Sequence, residues 1–414
     1  MSALVCPRIS LICIGNELLR GTRANSNATY IHHSLSTAGY QVHTSSVVGD
    51  EREHMYHVFK QQWLEHDLVI TTGGLGPTSD DITLPLLAEF FGTGLVEDAD
   101  QRERVERFFQ RRGREMTDSN RTQFLRLEDG SLLPNSSGTA PGHIMESGEK
   151  LWISLPGVSF EMETMLLEQV IPLLQERWQV LPQPLISLRL VGISESALYD
   201  LLTHHLHLTE LGEVAFLPSL QGHLLEVRSP AHDAMEKLQS LLAPYLVSTG
   251  GATLAEAVIA NLSHENMTLA TAESCTGGLL GQILTAVPGS SQVYPGGVIT
   301  YSDAQKTNLL GISEDLLKNH GAVSQQVVED MAMRARDQLQ ADFGLAISGV
   351  AGPGGGTAEK PVGTIWHAIS SEREVRSSRK LFDGNRDTNR SQAAGTALAM
   401  LFHHLRDTNR WQAV

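Results

Sequence analysis

The chain has few cysteines and no long apolar run. Only three cysteines occur among 414 residues, Cys6, Cys13 and Cys275, and their spacing matches no metal-binding motif. This count excludes a disulfide scaffold and favours a reducing, cytoplasmic environment. No stretch approaches the roughly 18 apolar residues of a membrane helix, and Pro7 and Arg8 interrupt the short apolar run at the start. We therefore expect a cytoplasmic protein with neither a secretory signal nor a membrane span.

The chain is also short of positive charge. It carries 31 Lys and Arg against 47 Asp and Glu, a formal net charge of -16. A general electrostatic grip on nucleic acid needs a basic surface, so direct nucleic-acid binding is not expected. Hydrophobic residues make up 41% and charged residues 19% of the chain, which is typical of a globular protein. At this length we expect two or three domains.

The first section, residues 1–178, alternates strand and helix patterns. The stretches 9–14 and 68–72 are continuous apolar runs, typical of buried parallel strands. Residues 28–38 have a helical pattern, and residues 41–48 have the β-branched character of a strand. This alternation predicts a doubly wound α/β domain, in which ligands bind beyond the carboxyl ends of the strands.

Two further sections follow the first. Residues 179–248 have the pattern of a small α+β module. Its predicted elements are strands at 186–191 and 223–227 and helices at 194–205 and 231–246. Residues 249–414 again alternate strand and helix. The clearest predicted strands there are 341–348, 363–369 and a stretch around 298–301. We therefore expect a second doubly wound α/β domain after the module.

A glycine-rich loop follows the apolar run that ends at Thr72. Its candidate ligand-binding residues are Gly73, Gly74, Gly76, Thr78, Asp80 and Asp81. Glycine has no Cβ, so backbone N–H groups can approach a phosphate, and adjacent carboxylates can hold a divalent cation. The alternative is a simple turn in which one of the aspartates caps the next helix. Glu17 and Asp50 follow two other strand ends, which favours the binding interpretation.

The most informative stretch is Thr271 to Gly278. An apolar run precedes it and a helical pattern, residues 279–287, follows it, which predicts a strand, a glycine turn and a helix start. Backbone N–H groups at a helix start are unpaired and attract oxyanions. Two nucleophilic side chains, Ser274 and Cys275, are adjacent there, with Glu273 just before them. We expect chemistry at this turn.

A serine is a poor nucleophile unless a base accepts its proton. Lys306 is the best candidate base, because it follows a predicted strand in a stretch that also contains Tyr301. Burial or nearby cations can lower a lysine pKa enough for this role, and Ser–Lys pairs replace the usual triad in some enzymes. The alternative is a solvated lysine on a helix.

A second glycine-rich loop and two arginines complete the candidate residues of the last section. The glycines of this loop that we expect to contact a ligand are Gly349, Gly352, Gly354 and Gly355. Arg386 and Arg390 lie one helical turn apart, on one face. A guanidinium can bind a phosphate through two parallel N–H groups. We therefore expect this side of the site to hold a phosphorylated substrate.

The first section resembles the molybdopterin-binding domain shared by molybdenum-cofactor biosynthesis proteins and the CinA family. The motifs that carry the resemblance are Ile14 to Leu19, Gly49-Asp50, Gly73 to Asp81, Asn120-Arg121, Gly138 to Gly142 and Leu155 to Val158. In some CinA proteins this domain is a metal-dependent ADP-ribose pyrophosphatase. The resemblance implies a nucleotide diphosphate on the glycine loop, with Asp50 and Asp81 as ligands of a divalent metal ion and Asp80 and Glu17 beside them. Molybdopterin binding is the alternative.

Two departures from the family pattern bear on that activity. Asn25 stands where the family often has Asp, and Thr122 stands where it often has Lys. Losing a carboxylate weakens metal binding and losing a lysine weakens phosphate neutralisation, so we expect binding to survive more readily than catalysis. The middle section resembles a KH-like module, but it lacks the Gly-x-x-Gly clamp that KH domains use on nucleic acid.

The last section resembles the C-terminal CinA domain, whose stand-alone relatives are nicotinamide mononucleotide deamidases. The matching motifs are Ala272 to Gly278, Tyr301-Ser302 with Lys306, Gly321 to Ser324, Ser348 to Pro353 and Lys360 to Gly363. Asp303 replaces the more usual Asn. The resemblance implies hydrolysis of the nicotinamide amide without a cofactor.

In this reading Ser274 attacks the amide carbon and Lys306 is the base. Backbone N–H groups from Thr276 to Gly278, including Gly277, stabilise the oxyanion, and Tyr301 orients Lys306 or stacks on the ring. Cys275 is the rival nucleophile. The resemblance further implies a homodimer, and the family's association with natural transformation and RecA leaves a non-enzymatic interaction role as the alternative.

Overall fold

The computed structural model describes residues 6–182, 185–219, 222–228 and 232–414. The chain divides into two compact units, residues 1–183 and 184–414. In the first unit the elements are β1 (Ile9–Ile14), α1 (Asn16–Leu19), α2 (Ser26–Thr37), β2 (Val42–Val48), α3 (Arg52–Glu65), β3 (Leu68–Thr72), α4 (Thr83–Phe91), β4 (Leu95–Glu97), α5 (Ala99–Arg111), β5 (Leu125–Leu127), β6 (Ser131–Leu133), β7 (Gly142–Ser147), β8 (Lys150–Leu155), α6 (Ser159–Met165) and α7 (Ile171–Trp178).

A six-stranded sheet in the order β2-β1-β3-β8-β7-β6 forms the centre of this unit. The pairs β2–β1, β1–β3 and β3–β8 are parallel, and β7 and β6 add antiparallel at one edge. Because the first four strands run the same way, the loops after β1, β2, β3 and β8 emerge at one edge of the sheet. These loops contain the candidate residues of the first section.

The side chains of β1 explain why helices cover both faces of this sheet. Successive strand side chains point to opposite faces. Leu11 and Cys13 belong to a core that also contains Met162 from α6. Ile12 belongs to a second core with Phe59 from α3. A strand that is buried on both faces must be apolar throughout, which is the pattern of the predicted first strand.

The second unit begins with a small α+β module. Its elements are β9 (Leu185–Leu190), α8 (Glu195–His205), β10 (Glu213–Ser219), β11 (Gly222–Arg228), α9 (His232–Leu242) and β12 (Leu246–Ser248). The strands form an antiparallel sheet in the order β10-β11-β9-β12. The predicted helix at 231–246 starts outside the described residues at its first position, and its predicted end is wrong because Leu246 lies in β12.

A five-stranded sheet forms the rest of this unit. The remaining elements are α10 (Leu254–Glu265), β13 (Leu269–Glu273), α11 (Leu279–Thr285), β14 (Gly296–Ile299), α12 (Asp303–Leu310), α13 (Glu314–His320), α14 (Gln325–Gln338), β15 (Phe343–Gly349), β16 (Thr364–Ser370), β17 (Val375–Leu381) and α15 (Arg386–Asp407). The sheet order is β14-β13-β15-β16-β17, with β13 parallel to β14 and β15 and the last two strands antiparallel.

Strand β13 is buried on both faces, like β1. Leu269 packs in a core with Leu398 of α15, whereas Ala270 packs in a second core with Met331 of α14. The predicted class, two doubly wound α/β domains joined by an α+β module, is confirmed, with antiparallel strands added at an edge of each large sheet. None of the helices in the described part of the chain combines the length and the apolar character that crossing a bilayer requires.

Candidate functional site

The structure brings Ser274 and Lys306 into direct contact. Ser274 is the first residue after β13, and Lys306 lies in α12, which follows the neighbouring strand β14. The Lys306 Nζ donates to Ser274 Oγ at 3.1 Å and to the carbonyl oxygen of Thr300 at 3.0 Å. Ser274 is 7% exposed and Lys306 is 1% exposed. A hydroxyl and an amine from positions 32 residues apart therefore form a buried pair.

The surroundings of Lys306 favour its neutral amine. Burial lowers the pKa of Lys306, and the nearby Asp303 carboxylate and Cys275 partly oppose that shift. Its two close hydrogen-bond partners, a hydroxyl and a carbonyl oxygen, carry no formal charge. A neutral amine has a lone pair and can accept the proton of Ser274, so the arrangement can act as a nucleophile and a general base.

A buried carboxylate holds the turn that carries Ser274. Glu273 is 2% exposed. Its oxygens accept the backbone N–H groups of Gly278 at 3.0 Å, Leu280 at 3.1 Å and Gly281 at 2.8 Å. The unpaired donors at the start of α11 are thereby satisfied by a charged acceptor from the preceding strand. Glu273 was singled out in the sequence only as a neighbour of Ser274, although a carboxylate just before a helix start is a recognisable capping signal.

These bonds narrow the set of oxyanion donors. The predicted contribution of Gly278 is wrong, because its N–H binds Glu273. The N–H of Gly277 closes the turn on the carbonyl oxygen of Ser274 at 3.1 Å. Among the described residues, the N–H of Thr276 has no protein acceptor, and the N–H of Cys275 contacts only its own thiol. These two donors remain for a developing negative charge.

The rival nucleophile Cys275 is in an unfavourable state. Its side chain is buried in the apolar core beside α11. Burial raises the pKa of the thiol to about 12, and a hydrogen bond, Lys306 and Arg386 oppose that shift only in part. Reactivity requires the thiolate. Cys275 therefore serves as a small buried side chain under the turn.

Arg386 and Tyr301 bind each other across the opening of the site. The Arg386 guanidinium donates to the carbonyl oxygen of Gly352 at 2.7 Å and to the Tyr301 hydroxyl at 2.8 Å. Tyr301 is 60% exposed, and its hydroxyl contacts Arg386.

The carbonyl of Thr300, which the sequence did not single out, holds the Lys306 amine in its place.

Arg390 is held mainly by the nucleophile turn, and its predicted phosphate role stays a prediction. Its Nε and Nη2 both donate to the carbonyl oxygen of Thr276, at 3.3 and 2.8 Å. Its Nη1 lies 3.6 Å from Asp387. The paired donors of Arg390 therefore support the nucleophile turn.

In the loop after β15, Gly354 and Gly355 are exposed.

In the first unit, the predicted carboxylates line one cleft of about 260 Å³. The acidic residues around it are Glu17, Asp50, Asp80, Asp81 and, unpredicted, Glu161, and its basic residue is Arg23. Burial raises the pKa of Asp50, the N–H of Asn16 opposes this, and the charges of the other aspartates and Glu17 add to the rise. Within the described residues, no three His, Cys, Asp or Glu side chains converge closely enough to hold one metal ion.

The glycine loop of this cleft serves packing first. A Cβ on Gly73 would overlap the carbonyl oxygen of Ile14, and one on Gly74 would overlap the Thr83 hydroxyl. The glycines are thus required by contacts with β1 and α4, and the expectation that their missing Cβ also lets a phosphate approach stays a prediction. A Cβ on Gly76 would lie 2.5 Å from Asp81 Oδ2.

Thr78 and Asp81 bind each other within the loop. The N–H and hydroxyl of Thr78 donate to Asp81 Oδ2 at 2.9 and 2.5 Å. Neither aspartate is the N-cap of α4, since that position is Ile82. The alternative interpretation of a simple aspartate-capped helix is therefore wrong, and Asp81 is fixed at the cleft.

The two departures from the family pattern do not remove groups from this cleft. The Asn25 side chain accepts the N–H of Ala28 at 3.2 Å as the N-cap of α2, a role that Asn and Asp fill about equally. Thr122 is exposed on a short 3₁₀ segment and is not part of the cleft lining. Asn25 lines a pocket that shares Glu17, Arg23 and Gly157 with the cleft, so the expected weakening of metal and phosphate binding stays a prediction.

Comparisons with known proteins match both large domains. Residues 251–405 match the model of the CinA C-terminal domain, and residues 10–176 match that of a probable molybdopterin binding domain. A CinA-like protein of Gemmatimonas aurantiaca is 38% identical over 410 residues, covering 95% of each chain. A CinA-like protein of Akkermansia muciniphila is 38% identical over 400 residues, covering 95% of this chain and 96% of that protein.

A solved structure of a competence or damage-inducible protein from Enterobacter asburiae is 36% identical, covers 37% of this chain and 96% of that one, and has a TM-score of 0.36. The two domain models describe a protein that joins a molybdopterin-binding-like domain to a CinA C-terminal domain. With near-complete coverage of relatives at this identity, the chain belongs to the CinA family.

The burial of Cys275 predicts that it resists alkylation. At pH 8 iodoacetamide should modify the exposed Cys6 rapidly and leave Cys275 unmodified in the folded protein, because its thiolate is scarce and inaccessible. Mass spectrometry of the tryptic peptides measures both sites. Comparable labelling of the two cysteines would contradict this account.

Replacing Glu273 should destabilise the second unit. Glu273→Gln removes the charge that accepts three backbone donors and turns an amide N–H₂ toward at least one of them. We expect a loss of about 2 kcal/mol or more in the free energy of unfolding. The control is Glu314→Gln in the exposed first turn of α13, where the change should stay within about 0.5 kcal/mol. Urea unfolding curves measure both, and equal curves would overturn the assigned role.

Proposed function

We propose that the C-terminal domain hydrolyses the carboxamide of nicotinamide mononucleotide to nicotinate mononucleotide and ammonia. The observation that carries the proposal is the buried contact between Lys306 Nζ and Ser274 Oγ at 3.1 Å. The match to the CinA C-terminal domain supports the proposal, because the motifs of this section resemble those of nicotinamide mononucleotide deamidases.

The first step is attack by Ser274 on the amide carbon. The neutral Lys306 amine takes the hydroxyl proton as the new C–O bond forms, and the amide C=O electron pair moves onto its oxygen. The N–H groups of Cys275 and Thr276, which have no acceptor in any other residue of the described chain, are the donors for that oxygen. Because Glu273 and Arg390 fix the turn, these donors are oriented before the substrate arrives.

The second step releases ammonia and the third releases the acid. The tetrahedral intermediate collapses, the C–N bond breaks, and the protonated Lys306 gives its proton to the leaving nitrogen. Water then attacks the ester on Ser274, with Lys306 again as the base, and nicotinate mononucleotide departs. Arg386 donates two of its N–H groups to the Gly352 carbonyl and the Tyr301 hydroxyl. A guanidinium has five such donors, so three remain for the 5′-phosphate.

The cleft of the first unit supports a second candidate function, binding and cleavage of a nucleotide diphosphate such as ADP-ribose. Five carboxylates face one arginine there, so an anionic substrate needs added positive charge. Asp50 and Asp81 are the two carboxylates that would hold a divalent metal ion such as Mg²⁺, which binds proteins through as few as one or two carboxylates, and Glu17 and Asp80 lie in the same cleft. Such an ion would neutralise the diphosphate and draw electron density from its phosphorus atoms.

Ammonia release from nicotinamide mononucleotide tests the deamidase. Ser274→Ala should lower kcat/KM by at least about 10³-fold, because it removes the attacking atom. Cys275→Ala is the matched control on the next residue and should retain activity within about threefold. Equal activity of wild type and Ser274→Ala would exclude the serine mechanism, and absence of ammonia from the folded wild type would exclude the substrate.

Manganese binding tests the cleft of the first unit. Asp50→Asn and Asp81→Asn should each weaken Mn²⁺ affinity, measured by electron paramagnetic resonance, by about tenfold or more. Asp100→Asn, in the exposed first turn of α5, is the control and should leave the affinity unchanged. ADP-ribose turnover is measured on the same samples. Unaltered Mn²⁺ affinity in both cleft variants would remove the metal site from the proposal.

A further inference from the structure

Asp303 is a charged neighbour of the buried lysine. It occupies the first turn of α12, after the N-cap Ser302, and its Oδ1 lies 3.9 Å from Lys306 Nζ. The two residues are one helical turn apart, so the backbone of the helix fixes their proximity. The carboxylate is 67% exposed, whereas the lysine is 1% exposed. A solvated charge therefore acts on a desolvated amine.

The other ionisable groups around Lys306 are either uncharged or bound to partners of their own. The Cys275 thiol stays protonated over the physiological range, with its pKa raised to about 12 by burial. The Glu273 carboxylate is bound by three backbone N–H groups, and Arg386 is bound to Gly352 and Tyr301. On α14, which packs against α12, Arg334 is paired with Asp330 at 2.8 Å. Asp303 is the carboxylate that forms an ion pair with Lys306 among the described residues.

We propose that Asp303 is a positioning residue that stabilises the protonated form of Lys306 and so sets the pH range in which Ser274 is activated. The inference rests on the proposed serine–lysine chemistry and adds a property of this chain, since Asp303 stands where the resembled family more usually has Asn. The direction follows from charge. A negative neighbour favours the ammonium, which raises the pKa of Lys306, and the active base is the neutral amine.

Two forces therefore act on Lys306 in opposite directions. Burial has the larger effect: it lowers the pKa of Lys306 and makes the amine available as a base. The Asp303 carboxylate has the smaller, opposite effect and raises the pKa. With an asparagine at this position the amine would lose its proton at a lower pH. The carboxylate thus limits activation of Ser274 on the acidic side.

The test measures activation of Ser274 by its reaction with a fluorophosphonate probe. The Ser274 oxygen forms a bond to phosphorus, the P–F bond breaks with fluoride leaving, and the serine proton passes to Lys306. The labelling rate is followed from pH 5 to 10 in the full chain. For Asp303→Asn, the labelling rate should rise with pH about 0.5 to 1 unit lower than in the wild type. Below the midpoint the labelling rate of the variant should be about three- to tenfold higher, and on the plateau the two rates should be equal.

A matched control separates this effect from helix stability. Asp315 lies in the exposed first turn of α13, so Asp315→Asn removes a comparable favourable charge from a helix start. Both variants should lose similar thermal stability, but Asp315→Asn should keep the wild-type pH profile. The dependence of the pH profile on salt concentration is a second test. Raising NaCl from about 0.05 to 1 M should move the wild-type profile toward that of Asp303→Asn and leave the variant in place.

The outcomes are distinguishable. Coincident profiles of wild type and Asp303→Asn, or a displacement toward alkaline pH, would overturn the role of Asp303 alone. No labelling of Ser274 in the folded wild type would overturn the serine–lysine chemistry together with this inference. A displaced profile in a protein that releases no ammonia from nicotinamide mononucleotide would uphold Asp303 and reject only the substrate.

Discussion

The bonds from the start of α11 to the carboxylate of Glu273 determine where the atoms of the C-terminal site lie. They fix the turn from Ser274 to Gly278 from the inside, while Arg390 holds the carbonyl of Thr276 from α15. A turn held from two sides cannot relax when charge develops on the substrate. The N–H groups of Cys275 and Thr276 are therefore already oriented, which is the condition for electrostatic stabilisation at low reorganisation cost.

Glu273 and Lys306 are both buried near this turn, but they have different hydrogen-bond partners. The Glu273 carboxylate accepts three backbone hydrogen bonds, so both of its oxygens have donors although the side chain is buried. Lys306 is given only a hydroxyl and a carbonyl at close range, so burial works against its positive charge. Because the oxygens of Glu273 bind backbone donors, the nearest buried carboxylate is not used to keep the lysine protonated. Two buried side chains of one site thus have different roles, Glu273 in holding the turn and Lys306 as the proposed base.

Sequence patterns predicted the sheets and the residues that meet at the C-terminal site, and they failed where hydrogen bonds decide a role. Apolar runs such as 9–14 predict buried strands because both faces of the strand are covered. The pairing of Ser274 with Lys306 followed from strand ends and family motifs. Spacing along α15 could not predict that Arg390 serves the Thr276 carbonyl while Arg386 faces Tyr301, because both arginines lie on one helical face. Strand β10 was missed because its residues are exposed or only partly buried and it shows no clear alternation.

The bond between Arg390 and the Thr276 carbonyl joins residues 114 positions apart. Loops of that length close slowly, since contacts between distant residues must overcome a large loss of chain entropy. When the chain is synthesised, β13 and the nucleophile turn leave the ribosome well before α15. The turn therefore reaches its final geometry only after the last long helix docks on the sheet.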